Sequence, residues 1–281
     1  MGKLKKVIEE TAAELPNRRG FLSKVGLASA AGAAVLSNAK PVLAQSGGPS
    51  DIDILNFALN LEYLEAEFYT IATTGQTISD RGVPIDGAGT PGPTTGGSLV
   101  NLSNSPVFTR DVAIELAFDE QQHVRVIRDA ISSMGGVPVA KPAINLNALG
   151  IGFGNQAEFL TLSRAFEDVG VTAYAGAAPL IQNKAVLAVA ARILGTEAEH
   201  VGNIRLHIAV FGIPTTPLDG VDILPPPSGY KFFSTDDRAL TQVRTPGQVL
   251  YIVYGFKANA TAGGFFPNGV NGPINMSSGP A

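Results

Sequence analysis

Two short blocks carry the residues best suited to chemistry. Asp119-Glu120-Gln121-Gln122-His123 and, 77 residues further on, Glu197-Ala198-Glu199-His200 each place Glu-x-x-His in a stretch of helix-forming residues. Residues three apart on an α-helix are surface neighbours, so each block can offer one carboxylate oxygen and one imidazole nitrogen to the same metal ion. A single Glu-x-x-His is common and usually reads as a solvated helix face. Two copies that use two of the chain's three histidines are a stronger signal. The third, His207, lies seven residues after His200, near the same face but two turns along, and is expected to be a core or rim histidine rather than a ligand.

Each block has an upstream partner. Glu62 is followed seven residues later by Tyr69, and Glu167 is followed seven residues later by Tyr174, each Glu standing after a large apolar residue. The chain therefore reads as two copies of one helical hairpin, the first helix giving a Glu and the second giving Glu-x-x-His. Brought together about a two-fold axis, Glu62, Glu120, His123, Glu167, Glu197 and His200 make the ligand set of a di-iron or di-manganese carboxylate site in a four-helix bundle. Glu65 and Glu67 crowd the first position, so Glu65 is a candidate to replace or supplement Glu62, or to stand behind it. Tyr69 and Tyr174 are expected as core tyrosines donating hydrogen bonds behind the ligands rather than as redox participants.

These residues resemble the ferritin-like superfamily, which includes bacterioferritin, rubrerythrin and manganese catalase. The segment LNFALNLEYLEAEFY, Leu55 to Tyr69, is similar to the ferritin-like proteins related to plant desiccation-associated proteins. The resemblance spans about residues 51–212. It implies an all-α, ferritin-like bundle with two Fe or two Mn ions that reacts with dioxygen or hydrogen peroxide in oxidative or desiccation stress. The desiccation-related likeness also implies an alternative, a stress-protective or envelope structural protein that keeps the bundle without turnover. A 24-subunit storage cage fits less well with the long loop and tail described below.

The N-terminal stretch Asn17-Arg18-Arg19-Gly20-Phe21-Leu22-Ser23-Lys24 resembles a twin-arginine export signal. A weakly apolar run from Val25 to Leu36 follows, too short and too rich in small residues to span a bilayer comfortably. Val42-Leu43-Ala44 then suits signal-peptidase cleavage near Ala44. The sequence thus predicts a signal peptide over 1–44, a twin-arginine translocase as partner during export, and a periplasmic or extracellular destination. Twin-arginine substrates are exported folded, which the resemblance makes natural for a protein loaded with metal in the cytoplasm.

Cleavage there would remove seven basic and three acidic residues of the 20 and 24 present, leaving 13 and 21 and a net charge of −8. That acidic balance argues against nucleic acid as a partner. The chain has no cysteine, which excludes disulfides, thiolate catalysis and cysteine-ligated metal. Hard oxygen ligands with two imidazoles suit iron or manganese. Metal ions and a small-molecule oxidant are the partners this chemistry calls for, and assembly with further copies of the chain is left open.

Punctuation predicts four long helices over 45–212. The first runs from Asp51, capped by Ser50, to about Thr73 with Gly75 beyond; the second starts with Ser105 as cap and Pro106 and ends at Gly135-Gly136. The third opens with Asn155 and Glu158 and breaks at Pro179, and the fourth runs from near Asn183 to before Gly212. Residues 76–104, rich in Gly, Pro and Thr, read as a flexible lid or a partner-contact arm. Residues 135–154 can span the bundle and make helices two and three parallel. Residues 213–281 read as an irregular appendage packed on the bundle or on a neighbour, with helix starts at Ser234 and Thr245, the run VLYIVYG as helix or buried strand, and Phe265-Phe266 docked on an apolar surface.

Overall fold

Helix starts and stops follow the local chemistry. The computed structural model describes residues 48–102 and 107–281. Helix α1, Asp51–Thr74, is capped by Ser50, whose hydroxyl accepts from Asp53 N while the Asp53 carboxylate accepts from Ser50 N. It stops at Gly75, whose φ of 72° is cheap only for glycine. Helix α2 is Val107–Ser133; its expected cap, Ser105-Pro106, lies outside the described residues. Helix α3, Gln156–Ala177, starts from Asn155, which accepts from Glu158 N at 3.0 Å and donates to the Glu158 carboxylate. It ends in a single 3-10 turn, Ala178–Leu180, that contains Pro179. Helix α4, Lys184–Val210, is capped by Asn183. At 27 residues each, α2 and α4 are about 40 Å long.

Paired residues fix the helix directions. Tyr63 meets Arg128 and Thr70 meets Gln121, so α1 and α2 run antiparallel. Tyr69 bonds Glu167 and Tyr174 bonds Glu62, so α1 and α3 are also antiparallel. Helices α2 and α3 are therefore parallel, as the 20-residue connection between them suggested. Glu120 faces His200 and His123 faces Glu197, which sets α4 antiparallel to α2 and parallel to α1. This is the all-α, ferritin-like bundle the sequence implied.

Nearly every residue of α1 from Ile54 to Ala72 is buried, because other segments cover the side that faces away from the bundle. Residues 76–102 and 135–154 run alongside each other there. They pair as two short parallel strands, β1 Thr94–Thr95 and β2 Ile144–Asn145, with a further bridge between Ala88 and Val139. Gly92 lies so close to the crossover that a Cβ would come within 2.4 Å of Ala143 N. The loop is thus not a free lid: its backbone groups bond to the crossover along much of its length. Lys141, buried beneath it, donates to Gly92 O and Thr94 Oγ1 and lies 3.7 Å from Glu67. That contact, with the bond from Ile78 N, removes Glu67 from the set of candidate ligands.

The tail is fastened to the same chain. Residues 49–281 form one compact unit. Arg205, fully buried, donates to Asp168 and to the carbonyls of Ile223, Lys231 and Phe232. Arg244 grips Asp219 with two nitrogens, at 2.7 Å each, and reaches Thr172 with the third. Phe265 packs edge-on against Phe166 of α3. Thr245 and Gln248 form a capping box that starts helix α5, Pro246–Val253, so VLYIVYG is helical rather than a strand. The helix expected from Ser234 does not form: the Asp236 carboxylate accepts from Arg238 N and Leu240 N and turns the chain back into a Thr235–Thr241 bridge. Among the described residues no helix is long and apolar enough to cross a membrane.

Candidate metal centre

Midway along the bundle, each helix turns acidic or imidazole groups inward. Glu62 comes from α1, Glu120 and His123 from α2, Glu167 from α3, and Glu197 and His200 from α4, and none is more than 7 % exposed. His123 Nδ1 lies 3.3 Å from Glu62, 3.3 Å from Glu120 and 3.2 Å from Glu197. His200 Nδ1 lies 3.2 Å from Glu120 and 3.3 Å from Glu167. The imidazoles face each other with ring centres 6.0 Å apart. Behind the carboxylates, Tyr69 donates to Glu167 at 2.6 Å and Tyr174 donates to Glu62. The six residues singled out from the sequence as ligands are thus brought together, with both tyrosines donating behind them.

The cluster is short of positive charge. Burial pushes the Glu62 carboxyl up to about 7 against the pull of His123. Burial, reinforced by neighbouring carboxylates, holds Glu65 and Glu197 well above the usual carboxylate range. Glu120 runs the other way: burial would raise it, but the two imidazoles it touches bring it down. Burial alone would lower both histidines, yet Glu120 and Glu62 push His123 far up, and Glu167 and Asp119 do the same for His200. Groups placed this way bind either protons or cations.

Bound metal fits the donors. Oxygens of Glu62, Glu120, Glu167 and Glu197, together with His200 Nδ1, are buried without a hydrogen-bond partner. Left so, each would cost about 1–3 kcal/mol or more. Glu62, Glu120, His123 and Glu197 each place a ligand atom within 4.8 Å of the others, and so do Glu120, Glu167, Glu197 and His200. Glu120 and Glu197 belong to both groups.

The sequence carries no separate signal for one supporting residue. Asp119 was part of the first block but had no role assigned; its carboxylate lies 3.1 Å from His200 Nε2, fixing the proton there and turning Nδ1 towards the carboxylates. The equivalent of Asp119 in the second block is Thr196, which offers His123 no such carboxylate. Glu65, the candidate to supplement Glu62 or stand behind it, is buried beside the cluster, on the side away from the histidines, opposite Gly170 of α3. A Cβ on Gly170 would come within 2.6 Å of Glu197 and 3.3 Å of Glu65. Glu65 follows Glu62 by three residues as Gly170 follows Glu167, so the glycine makes the room that the extra carboxylate occupies. His207 stays apart from the cluster, with Nδ1 on the carbonyl of Asn203.

The Ferritin-like domain family matches residues 50–209, the four helices and every residue of this cluster. The chain belongs to that family. It is 27 % identical over 276 residues to the ferritin-like catalase Nec2 of Nesocodon mauritianus, covering 80 % of this chain and 85 % of the relative. It is 32 % identical over 173 residues to the desiccation-related protein PCC13-62 of Craterostigma plantagineum, covering 56 % of this chain and 52 % of the relative. Family, relatives and buried cluster together fit a metal-binding, stress-related protein.

Proposed function

We propose that the chain is an exported dinuclear iron or manganese protein that disposes of hydrogen peroxide under oxidative or desiccation stress. The observation that carries this reading is the convergence of four buried carboxylates and two imidazole nitrogens, with several oxygens unpartnered, at the centre of the bundle. Glu62 and His123 would hold one ion and Glu167 and His200 the other, with Glu120 and Glu197 between them. Bound there, two redox-active ions supply the capacity to take up and return two electrons, which converts two molecules of peroxide to two of water and one of dioxygen. The protein's part is to fix the ligands and keep bulk water out. Tyr69 and Tyr174 orient Glu167 and Glu62 through their hydroxyls, and Asp119 holds the His200 tautomer.

The similarity to a ferritin-like catalase over most of both chains supports peroxide as the substrate, and the similarity to a desiccation-related protein supports the stress setting. Export and cleavage near Ala44 rest on the Arg18-Arg19 segment, which lies outside the described residues. Oxygen evolution from peroxide by the purified, metal-loaded protein tests the catalytic reading. Turnover that disappears in Glu197→Ala supports it. A fully loaded protein that evolves no oxygen would leave a bundle that protects without turnover.

A further inference from the structure

On the face of the cluster away from the histidines, two recesses open between α1 and α3. One is bounded by Phe166, Ile252 and Phe265, where the tail covers the bundle; the other by Phe57, Ala58 and Ala177, further along the same helices. Both are walled by Leu61 and Gly170 and both end on Glu65. Apart from its carboxylates, the lining is almost wholly apolar. Each has a cavity volume of about 20 Å³, and one water-sized guest needs roughly 10–15 Å³ on this measure.

Gly170 makes the wall thin at the point that matters. A side chain there would strike Glu197 and close on Glu65, so the recesses meet the cluster across bare backbone. Glycine within a helix is unfavourable relative to alanine, and here close approach to two carboxylates requires it. Glu65 itself takes no hydrogen bond from any described residue. The opposite face differs in kind: the groove between α2 and α4 that leads to His200 is wider, about 150 Å³, and sets Glu115, Asp119 and Glu199 among Val112 and Leu116.

We propose that the α1–α3 recesses are the route by which a small uncharged oxidant reaches the centre, past Leu61 and through the gap between Glu65 and Gly170. The occupant is a neutral molecule of two heavy atoms, the class to which hydrogen peroxide and dioxygen belong. Size excludes larger molecules, and the apolar lining, which offers an ion nothing in place of its water, excludes charged ones. The proposal rests on the dinuclear reading given above and names the side from which its substrate arrives.

Nitric oxide, a neutral two-atom probe, measures the route by its association rate with the ferrous protein in stopped flow. Leu61→Trp, which fills both recesses, is expected to slow association at least tenfold, and Leu61→Ala to speed it or leave it at the diffusion-limited value, with iron content unchanged in both. Asn203→Trp, which fills the groove beside His200, is expected to leave the rate within twofold of the parent. A normal rate in Leu61→Trp, or a tenfold loss in Asn203→Trp instead, would overturn the route. Should Leu61→Trp not fold, Leu61→Ala and a second measurement decide. Crystals of the metal-free protein under krypton pressure are expected to show gas density between Leu61 and Gly170, and none there overturns the proposal. A protein that takes up no iron but binds krypton at that place defeats the dinuclear reading while leaving the recess intact.

Discussion

The hydroxyl of Tyr69 on α1 donates to Glu167 Oε1 on α3 at 2.6 Å. Its counterpart, Tyr174 on α3, donates to Glu62 on α1, so the two bonds are exchanged across the pseudo-two-fold axis of the bundle. Each half of the chain thus orients the carboxylate that the other half supplies. Tyr69→Phe removes one of these bonds and leaves Glu167 free to rotate. Support of this kind typically changes metal affinity by about 10–100-fold. Titration calorimetry on the variant is expected to show one ion weakened within that range and the other near its parent affinity.

Asp119 breaks the symmetry. It braces His200 at 3.1 Å, whereas Thr196 stands at the matching place in the other half. Asp119→Asn is therefore expected to weaken the ion held by His200 by about 10–100-fold, with no change in the helix content read by circular dichroism. An equal weakening of both ions would show that Asp119 acts on the whole cluster rather than through one imidazole.

Stability of the metal-free protein should fall as pH rises. Burial holds the Glu62 carboxyl at about 7 against an ordinary value of 4.5, so its contribution is complete below pH 4.5 and is lost as pH rises through 7. Glu65 and Glu197 shift in the same direction. The raised histidines add to the trend, contributing fully below 6.5 and progressively less above it. Glu120 has the opposite sign, but its loss lies on the acid side of 4.5. Melting temperature of the metal-free protein is expected to drop between pH 5 and 8, and loading with metal, which replaces those protons, is expected to remove the drop.

Much of this centre was legible in the sequence because its parts are local. Glu120-x-x-His123 and Glu197-x-x-His200 each lie within one helical turn, and the caps of the other bundle helices and of α4, namely Ser50, Asn155 and Asn183, lie within three residues of the groups they bond. What escaped notice depends on partners far along the chain. The loop at 94–95 pairs with 144–145, and neither strand carries an alternating pattern long enough to read. Gly170 makes sense only beside Glu65, 105 residues away, and Asp119 only beside His200 on another helix. At Ser234 the helix signal was present, but the Asp236 side chain satisfied the same backbone donors in a turn.

Export is tested by changing Arg18 and Arg19 together to Lys. Both precede the compact unit that starts at Pro49, so the folded part is expected to be unaffected. Cell fractionation should then find an uncleaved, folded and metal-loaded precursor in the cytoplasm. Processed protein recovered outside the cytoplasm would refute the assignment, and a trapped precursor without metal would remove cytoplasmic loading as the reason for that route.

The central claim is that the buried cluster exists to hold two ions. Elemental analysis of the purified protein from cells grown with ample iron and manganese tests it most directly. The account predicts close to two iron or manganese ions per chain, falling to about one in His123→Ala or His200→Ala and staying near two in His207→Ala. A protein free of transition metal that regains none on reconstitution would contradict it.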